Sequence, residues 1–217
     1  MSSDVELRAA WQAHVGTDTD LFDRLLGRHR ERHRRYHGVT HVRWVVRHVL
    51  ELAVIESGGV ESVHDLDAVV AAAFYHDAVY EPQHPANERA SARLARRDLV
   101  EIAQVAEMAW DETRIDAVVA MIEGTTTHLE PPDIDTAVLY DADLAVLGAD
   151  VAGYDAYVAG IRAEYRHVAD HHWQVGRSAV LEGFLERPAI YATTSGRTRW
   201  EQRARANITS ELARLGV

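Results

Sequence analysis

The apolar residues of this chain recur with the period of an α-helix. The segment from Ala68 to Phe74 is apolar on every side, which predicts a helix buried all round. A second pattern, at i, i+3, i+4 and i+7 spacing, predicts a helix with one buried stripe that ends near Gly58-Gly59. No useful length of chain alternates apolar and polar residues as a strand would, so the sequence predicts an all-α fold. The buried stripe consists of Val42, Val45, Val46, Val49, Leu50 and Ala53.

Prolines, glycines and capping residues divide the rest of the chain into further helices. The loop with Pro82 and Pro85 breaks the pattern after Tyr80, and Asp133 or Asp135 is expected to cap a later helix. We predict one helical domain over residues 1–217, in which the helices of 150–217 pack on a core within 34–148. The helices predicted beyond the proline loop span about 87–105, 113–121, 137–147, 154–165, 172–185 and 200–215.

Length and composition limit the class of protein. A chain of 217 residues with 47% apolar content is long enough for one sizeable core. Its net charge of −11 argues against a nucleic acid polymer or an acidic membrane surface as partner, whereas a small anionic substrate stays compatible. The first residues lack a basic segment followed by a long apolar run, and no segment approaches the length of a membrane span. We therefore expect a cytoplasmic protein with no membrane partner.

Three short segments carry residue types that bind metal ions. They are Tyr36-His37-Gly38-Val39-Thr40-His41, then His76-Asp77, and then Asp141-Ala142-Asp143. No cysteine is present, so any metal must be held by histidine and carboxylate groups. Imidazoles and carboxylates are costly to bury unless they are paired, and one divalent cation pairs several of them at once.

The spacing of these residues leaves some alternatives open. His76-Asp77 directly follows the buried segment, where it marks either a metal site or a capped helix end with a satisfied histidine. His64-Asp65 repeats the dipeptide in a polar junction, and we interpret it as a helix-entry cap. Asp141 and Asp143 point about 200° apart on a helix, so they are not expected to bind the same ion. One is expected to bind the ion, and the other to cap a helix or to support a ligand from behind.

Other histidines have simpler interpretations. His29 and His33 lie among arginines and are predicted to belong to a solvated basic face.

His37 and His41 are four residues apart, so they share a face if their segment is helical and can still converge if it is a turn.

The order His, His-Asp, Asp resembles the HD superfamily of metal-dependent phosphohydrolases, which are all-helical. Tyr36-His37 followed by His41 is similar to the Tyr-His-Asn-x-x-His signature of the cyclic nucleotide phosphodiesterases in that superfamily, although Gly38 stands in place of their asparagine. Met121-Ile122 through His128, and Ala142-Asp143-Leu144, resemble two further segments of those enzymes. With Asn87-Glu88 and the Arg-Ala-Asn-Ile element, the chain also resembles a small bacterial group of predicted HD-type hydrolases. The core of the resemblance covers about residues 34–148.

The resemblance implies a metal centre and a reaction. It makes His41, His76, Asp77 and Asp143 the ligands of one divalent ion (Mn, Fe, Co, Ni, Zn or Mg), and Asp77 could bridge to a second ion completed mainly by waters. His37 would be the general acid toward the leaving oxygen, while a metal-activated water attacks phosphorus. The implied activity is hydrolysis of a small phosphate ester or nucleotide.

Substrate contacts are harder to choose from the sequence. His128 is a candidate ligand of a second ion or of the substrate phosphate. Arg34 and Arg35 adjoin the segment from Tyr36 to His41, which we call the first motif, and guanidinium groups suit phosphate. Arg162 and Arg177 lie on later helices that could close over the site. Tyr80 either lines the pocket or packs under the proline loop.

Two other functions remain open at this level. An HD-fold dinuclear iron oxygenase needs additional histidines between the His-Asp pair and the last aspartate, where this chain has only His84 and His128. A metal-binding or nucleotide-binding regulatory module without turnover is the second, because a fold and its ligands do not guarantee catalysis.

Overall fold

The helices begin and end close to the positions that capping and turn residues predict. The computed structural model describes residues 3–56, 62–105 and 110–216, and within these ranges the fold is all-α, as predicted. The predicted helix end near Gly58-Gly59 lies outside the described residues. Every helix predicted beyond the proline loop forms. The helices are α1 (Ser3–His14), α2 (Thr19–His29), α3 (Val39–Glu56), α4 (Leu66–Tyr75), α5 (Asn87–Val105), α6 (Glu112–Gly124), α7 (Ile134–Leu144), α8 (Val151–Glu164), α9 (Asp170–Glu186), the single turn α10 (Thr194–Gly196) and α11 (Gln202–Leu215).

Two short irregular helices complete the chain. A 3-10 turn, Ala145–Gly148, continues α7, and a π-helical turn, Arg197–Glu201, joins α10 to α11. A Cβ atom on Gly148 would meet the backbone of Trp200 at 2.9 Å, so only glycine allows these two turns to approach so closely.

Helix α4 lies at the centre of the fold. It packs against α1, α3, α5, α6 and α7. Each of its residues from Ala68 to Tyr75 is buried, which confirms the prediction of a helix buried all round. Full burial of one Val or Phe side chain stabilises the fold by roughly 1.5–3 kcal/mol, so the position of α4 is strongly fixed. His76 is the C-cap of this helix and therefore shares its fixed position.

Aspartates tie the start of α4 to its neighbours. Asp65 accepts a hydrogen bond from a backbone N–H of α4 at 3.0 Å, which confirms its predicted capping role. Its carboxylate also accepts two hydrogen bonds from Arg114 of α6, at 2.6 and 2.7 Å. Asp133 caps α7. Asp135 instead accepts the backbone N–H groups of His64 and Asp65, at 2.7 and 2.9 Å.

One cluster of buried apolar side chains extends from the N-terminal helices to the C-terminal ones. It includes Leu7 in α1, Leu181 in α9 and Ile208 in α11. Helix α11 packs against α9 and against the 3-10 turn that follows α7. A buried ion pair between Arg177 and Glu211, with hydrogen bonds of 2.9 and 3.1 Å, joins α9 to α11. The C-terminal helices thus pack on the helices that carry the motifs.

The described helices were also compared with the length and apolarity that a membrane span requires. None of them meets both requirements by itself. Ile134–Gly148 and Val151–Glu164 meet them only when counted together, and the chain bends by 103° between them.

The prediction that His29 belongs to a solvated basic face is wrong. His29 is 2% exposed, and its Nε2–H donates to the carbonyl of Phe74 at 3.1 Å. The residue continues the helical stripe of Leu25 and Leu26, which the neighbouring arginines obscure in the sequence. His33 is half-buried and donates to the carbonyl of Tyr80 at 2.8 Å.

The buried position of His29 makes stability depend on pH. Burial, assisted by the positive charge of Arg34, lowers the pKa of His29 from its usual 6.5 to about 3. Below pH 6.5 the unfolded chain therefore binds a proton at His29 that the folded chain does not bind. The contribution of His29 to the unfolding free energy is fully present above pH 6.5 and is lost as the pH falls toward 3. We expect His29 to remove about 2 kcal/mol of unfolding free energy between pH 7 and pH 5. Denaturant titrations at both pH values measure the loss.

The matched variant is His29→Gln, which removes the titrating ring and keeps a donor for the carbonyl of Phe74. Its unfolding free energy should fall by about 2 kcal/mol less than that of the wild type over the same interval. Parallel pH profiles for the two proteins would show that His29 does not control this acid sensitivity.

Candidate metal centre

Three helices bring three ligand-type side chains to one point. His41 lies in the first turn of α3, His76 caps α4, and Asp143 lies in the last turn of α7. Nε2 of His41 is 3.0 Å from Nε2 of His76 and 3.2 Å from Oδ1 of Asp143. Nε2 of His76 is 3.6 Å from the same oxygen. This mostly buried group could hold a metal ion.

Asp77, in the turn after α4, lies beside this group. Its Oδ2 lies 3.3 Å from Nε2 of His41 and 3.2 Å from Nε2 of His76. Two atoms bound to one first-row ion at about 2.1 Å lie about 3.0 Å apart at right angles and about 3.4 Å apart in a tetrahedron. The three distances among His41, His76 and Asp143, from 3.0 to 3.6 Å, suit ligands of a single ion, and Asp77 lies equally close to the two histidines.

The protonation of His76 also suits a metal ligand. Its Nδ1–H donates to the carbonyl of Ala73 at 2.9 Å, so in the neutral ring the lone pair is on Nε2, which faces the group. Metal-binding histidines commonly have their second nitrogen held in this way. His41 differs, because its buried Nδ1 has no hydrogen-bond partner among the described residues.

The two carboxylates of the group remain ionised although they are largely buried. Burial alone would raise the pKa values of Asp77 and Asp143, but the positive charge of His76 and its neighbouring histidines holds both well below the usual range. Burial alone would likewise lower the pKa of His76, but the same two carboxylates raise it well above its usual value. The group therefore concentrates negative charge that protonated histidines, or one cation, must compensate.

His128 supports the group through a strained loop. Its Nε2–H donates to Oδ2 of Asp143 at 2.8 Å. The backbone at His128 and Glu130 is left-handed, with φ of +50° and +44°, which costs a residue other than glycine roughly 1–2 kcal/mol. Arg187 stabilises this conformation by donating to the carbonyls of Thr127 and His128 at 2.9 and 3.1 Å. The sequence did not indicate Arg187, because its partners are backbone atoms about sixty residues away.

Glu164 of α8 organises the first motif, and the sequence missed it entirely. One of its oxygens accepts the backbone N–H groups of Arg35, Tyr36 and His37, at 2.6, 2.8 and 3.0 Å. The other accepts Nδ1–H of His37 at 2.7 Å and the hydroxyl of Tyr80 at 2.9 Å. Burial alone would raise the pKa of Glu164, but the hydrogen bonds that it accepts outweigh burial and lower it to about 2.

This arrangement fixes the orientation of the His37 ring. With Nδ1 bound to Glu164, Nε2 has no hydrogen-bond partner among the described residues. The ring centroid lies 4.3 Å from that of Tyr80 and 5.5 Å from that of His41. Tyr80 is almost fully buried, and its ring lies beside that of His37.

Arg34 joins the backbones of two motifs. Its side chain is fully buried and donates to the carbonyls of His37, Asp77 and Ala78, at 3.0, 2.7 and 3.2 Å. Because the guanidinium is used internally, Arg34 acts in positioning the site. Arg35 is exposed at the edge of a separate cavity that also adjoins Tyr36 and His41.

The two later arginines proposed as substrate contacts have internal partners. Arg162 donates to the carbonyls of Tyr165 and Val168 and to Asp170, at 2.7, 3.1 and 2.6 Å. Arg177 donates to both oxygens of Glu211. Neither guanidinium is therefore available to a phosphate without losing these hydrogen bonds.

Asp141 stabilises a loop and does not join the group. Its carboxylate accepts the backbone N–H groups of Ala192 and Thr193, at 2.7 and 2.8 Å, and the hydroxyl of Thr193 at 2.7 Å. Burial raises the pKa of Asp141 to about 6 despite these bonds. The choice between Asp141 and Asp143 that the sequence left open is therefore answered by position, with Asp143 beside the histidines.

Comparison with known proteins adds no relative to this picture. Neither protein-family models, nor curated protein sequences, nor solved structures match the chain.

Substitution of each aspartate in turn separates ion binding from loop stability. Asp143→Asn removes one negative oxygen from the group, so we expect its affinity for a divalent ion to fall by more than about a hundredfold. Asp141→Asn should bind metal as the wild type does and should unfold at a lower temperature, because it weakens a buried hydrogen-bond network. Elemental analysis after dialysis and thermal unfolding measure the two effects.

His64→Ala is the control for general damage, because the side chain of His64 is 73% exposed and lies beside Asp135 rather than in the group. It should leave metal content unchanged, whereas His76→Ala should lose the metal. Loss of metal in Asp141→Asn and its retention in Asp143→Asn would contradict the assignment.

Proposed function

We propose that this protein is a metal-dependent phosphohydrolase of the HD type, acting on a small phosphate ester or nucleotide. One observation carries the proposal. His41, His76 and Asp143 meet at distances that suit one ion, and Asp77 lies 3.3 and 3.2 Å from the two histidines. Beside them, His37 is held by Glu164 with one nitrogen free. This is the set of groups that hydrolysis of a phosphate ester needs.

The proposed ion is divalent and is held by His41, His76, Asp77 and Asp143. Nitrogen and oxygen ligands without sulfur suit Mn, Fe, Co, Ni, Zn or Mg. When bound, such an ion supplies an activated water and neutralises charge on the phosphoryl oxygens. A second ion beside Asp77, completed by water, belongs to the same proposal.

His37 is the proposed general acid. Glu164 holds Nδ1–H, so Nε2 is the atom that can deliver a proton to the leaving oxygen. The ring is restrained by Glu164 on one edge and by Tyr80 on one face, which keeps Nε2 in one place. A fixed donor is more effective than a mobile one, because the correct geometry is already present before the reaction.

A cavity that could hold a phosphate lies beside His37 and beside His128, the hydrogen-bond partner of Asp143. A volume of 790 Å³ is lined by His37, His128, Leu144 and Arg187, among others. Arg187 has no carboxylate within 4.0 Å among the described residues, and its hydrogen bonds are to carbonyl oxygens. Its charge is therefore not compensated by a carboxylate, and we propose that it attracts the anionic substrate while two of its nitrogens hold the loop of His128.

The oxygenase alternative gains no support from the described residues. His84 lies on the exposed proline loop, where its Nδ1 accepts the backbone N–H of Ala86 at 3.2 Å. Of the two histidines in the required interval, only His128 reaches the group.

The direct test is a screen of phosphomonoesters, phosphodiesters and nucleotides with Mn, Mg, Co or Zn. We expect turnover that depends on the added metal and is abolished by a chelator. Stoichiometric metal binding without turnover of any of these compounds would instead favour a regulatory module.

Substitution of His37 should distinguish a proton donor from a ligand. We expect His37→Ala to keep its metal and to lose about a hundred- to ten-thousandfold in turnover of an ester with a poor leaving group. The loss should be much smaller for p-nitrophenyl phosphate, whose leaving oxygen needs little protonation. Steady-state kinetics on both substrates, with metal content measured in parallel, provide the comparison.

His41→Ala is the matched contrast, since it should lose metal and activity together on both substrates. If His37→Ala loses metal as His41→Ala does, then His37 is itself a ligand and the group contains more imidazoles than proposed.

Glu164→Gln tests the role of the carboxylate that positions His37. Glutamine can still accept the backbone N–H groups, but it lacks the negative charge that pairs with the ring. We expect the metal to be retained and turnover of the poor-leaving-group ester to fall more than that of p-nitrophenyl phosphate. Equal losses on both substrates would show that Glu164 only supports the fold.

A further inference from the structure

Two cavities meet at His37. The first is the volume of 790 Å³ described above, which we call the phosphate cavity. The second, which we call the apolar cavity, has a volume of 460 Å³ and lies between α8 and α9. Both are lined by His37, Tyr165 and Val180. The proposed general acid therefore stands between two chambers.

The apolar cavity has a lining that suits an uncharged group. Its walls include Ile161, Val168, Trp173 and Val180, and Val180 is 53% exposed at this surface. The ring centroids of Tyr165 and Trp173 are 5.6 Å apart, so one wall is a broad aromatic surface. Such walls favour an apolar or aromatic ligand, which gains free energy by leaving water.

The charged residue of the apolar cavity does not change this conclusion. Arg177 donates to both oxygens of Glu211 and, at 3.1 Å, to the hydroxyl of Tyr157. Its charge is compensated inside the protein, so a second phosphate of a ligand would find no free guanidinium there. Arg187, by contrast, lies in the phosphate cavity.

We propose that the apolar cavity binds the leaving group, and that the substrate is a phosphate ester of an uncharged alcohol with an aromatic or bulky apolar portion. The inference rests on the proposed function and adds the substrate class. The phosphate cavity, His37 and the apolar cavity follow one another in space. In such an ester the phosphorus, the leaving oxygen and the leaving group follow one another in the same order.

The reaction balances in this arrangement. The oxygen of water bonds to phosphorus, and the bond from phosphorus to the leaving oxygen breaks with its electron pair on that oxygen. The leaving oxygen takes the proton from Nε2 of His37, so the product is a neutral alcohol that can remain in an apolar chamber. The proton lost by the attacking water passes to solvent, from which His37 is protonated again.

Gly176 allows the apolar cavity to be filled without disturbing the protein. It lines the cavity from α9, and a Cβ atom built on it meets no atom within 4 Å. Leucine there would enter open space and would also favour the helix. Gly27 of α2 is the matched control, because a Cβ atom on it also meets nothing within 4 Å and it lines neither cavity.

The experiment compares two esters whose alcohols have similar basicity, ethyl phosphate and 2-(1-naphthyl)ethyl phosphate. In wild type with Mn, we expect kcat/KM to be at least about tenfold higher for the naphthyl ester, through a lower KM. Gly176→Leu should abolish this preference, chiefly by raising KM for the naphthyl ester. Gly27→Leu should behave as wild type on both.

A binding measurement keeps the inference separate from the proposed function. Calorimetry should detect 2-(1-naphthyl)ethanol binding to wild type and Gly27→Leu, and at least about tenfold weaker binding to Gly176→Leu. If no ester is hydrolysed with any metal, the proposed function fails, and this measurement still decides whether the cavity takes an apolar group. Equal binding by Gly176→Leu, no binding by wild type, or an equal preference for the two esters would overturn the inference.

Discussion

The structure depends on the burial of α4 against five other helices. This helix has no polar face, so the turn that follows it is held inside the protein together with His76 and Asp77. A carboxylate and an imidazole in such a place need charged or hydrogen-bonding partners. α3 and α7 provide them as His41 and Asp143, which makes the charge balance of the group a consequence of how the core packs.

The surroundings of the group are built by long-range polar contacts. Arg34 connects the first motif to the turn after α4, and Glu164 connects the same motif to α8. Arg187 holds the loop of His128 in a conformation that is unfavourable by itself. Each contact replaces water around a buried polar group, so loss of one partner would leave the other unsatisfied. The same contacts that stabilise the fold therefore also set the geometry of the candidate site.

The sequence was most informative where local pattern decides structure. The all-round apolar character of residues 68–74 predicted a buried helix, and Asp65 and the proline loop predicted where α4 and α5 begin. The sequence was least informative where a partner lies far along the chain. Glu164 is more than 120 residues from the backbone that it holds. His29 was misplaced because helical spacing, rather than its arginine neighbours, determines its environment. Arg162 and Arg177 are candidates by their guanidinium groups and by their place on later helices, and the sequence does not indicate the internal acceptors that they bind.

The central proposal is that four side chains, from α3, from the C-terminal end of α4 with the turn after it, and from α7, hold one divalent cation. Anomalous X-ray diffraction from crystals grown with Mn measures this most directly, because it locates the ion without reference to activity. The account predicts one strong peak about 2.1–2.3 Å from Nε2 of His41 and His76 and from a carboxylate oxygen of Asp77 and Asp143. The absence of a peak there would contradict the account. So would a strong peak elsewhere in crystals in which these four side chains contact only one another.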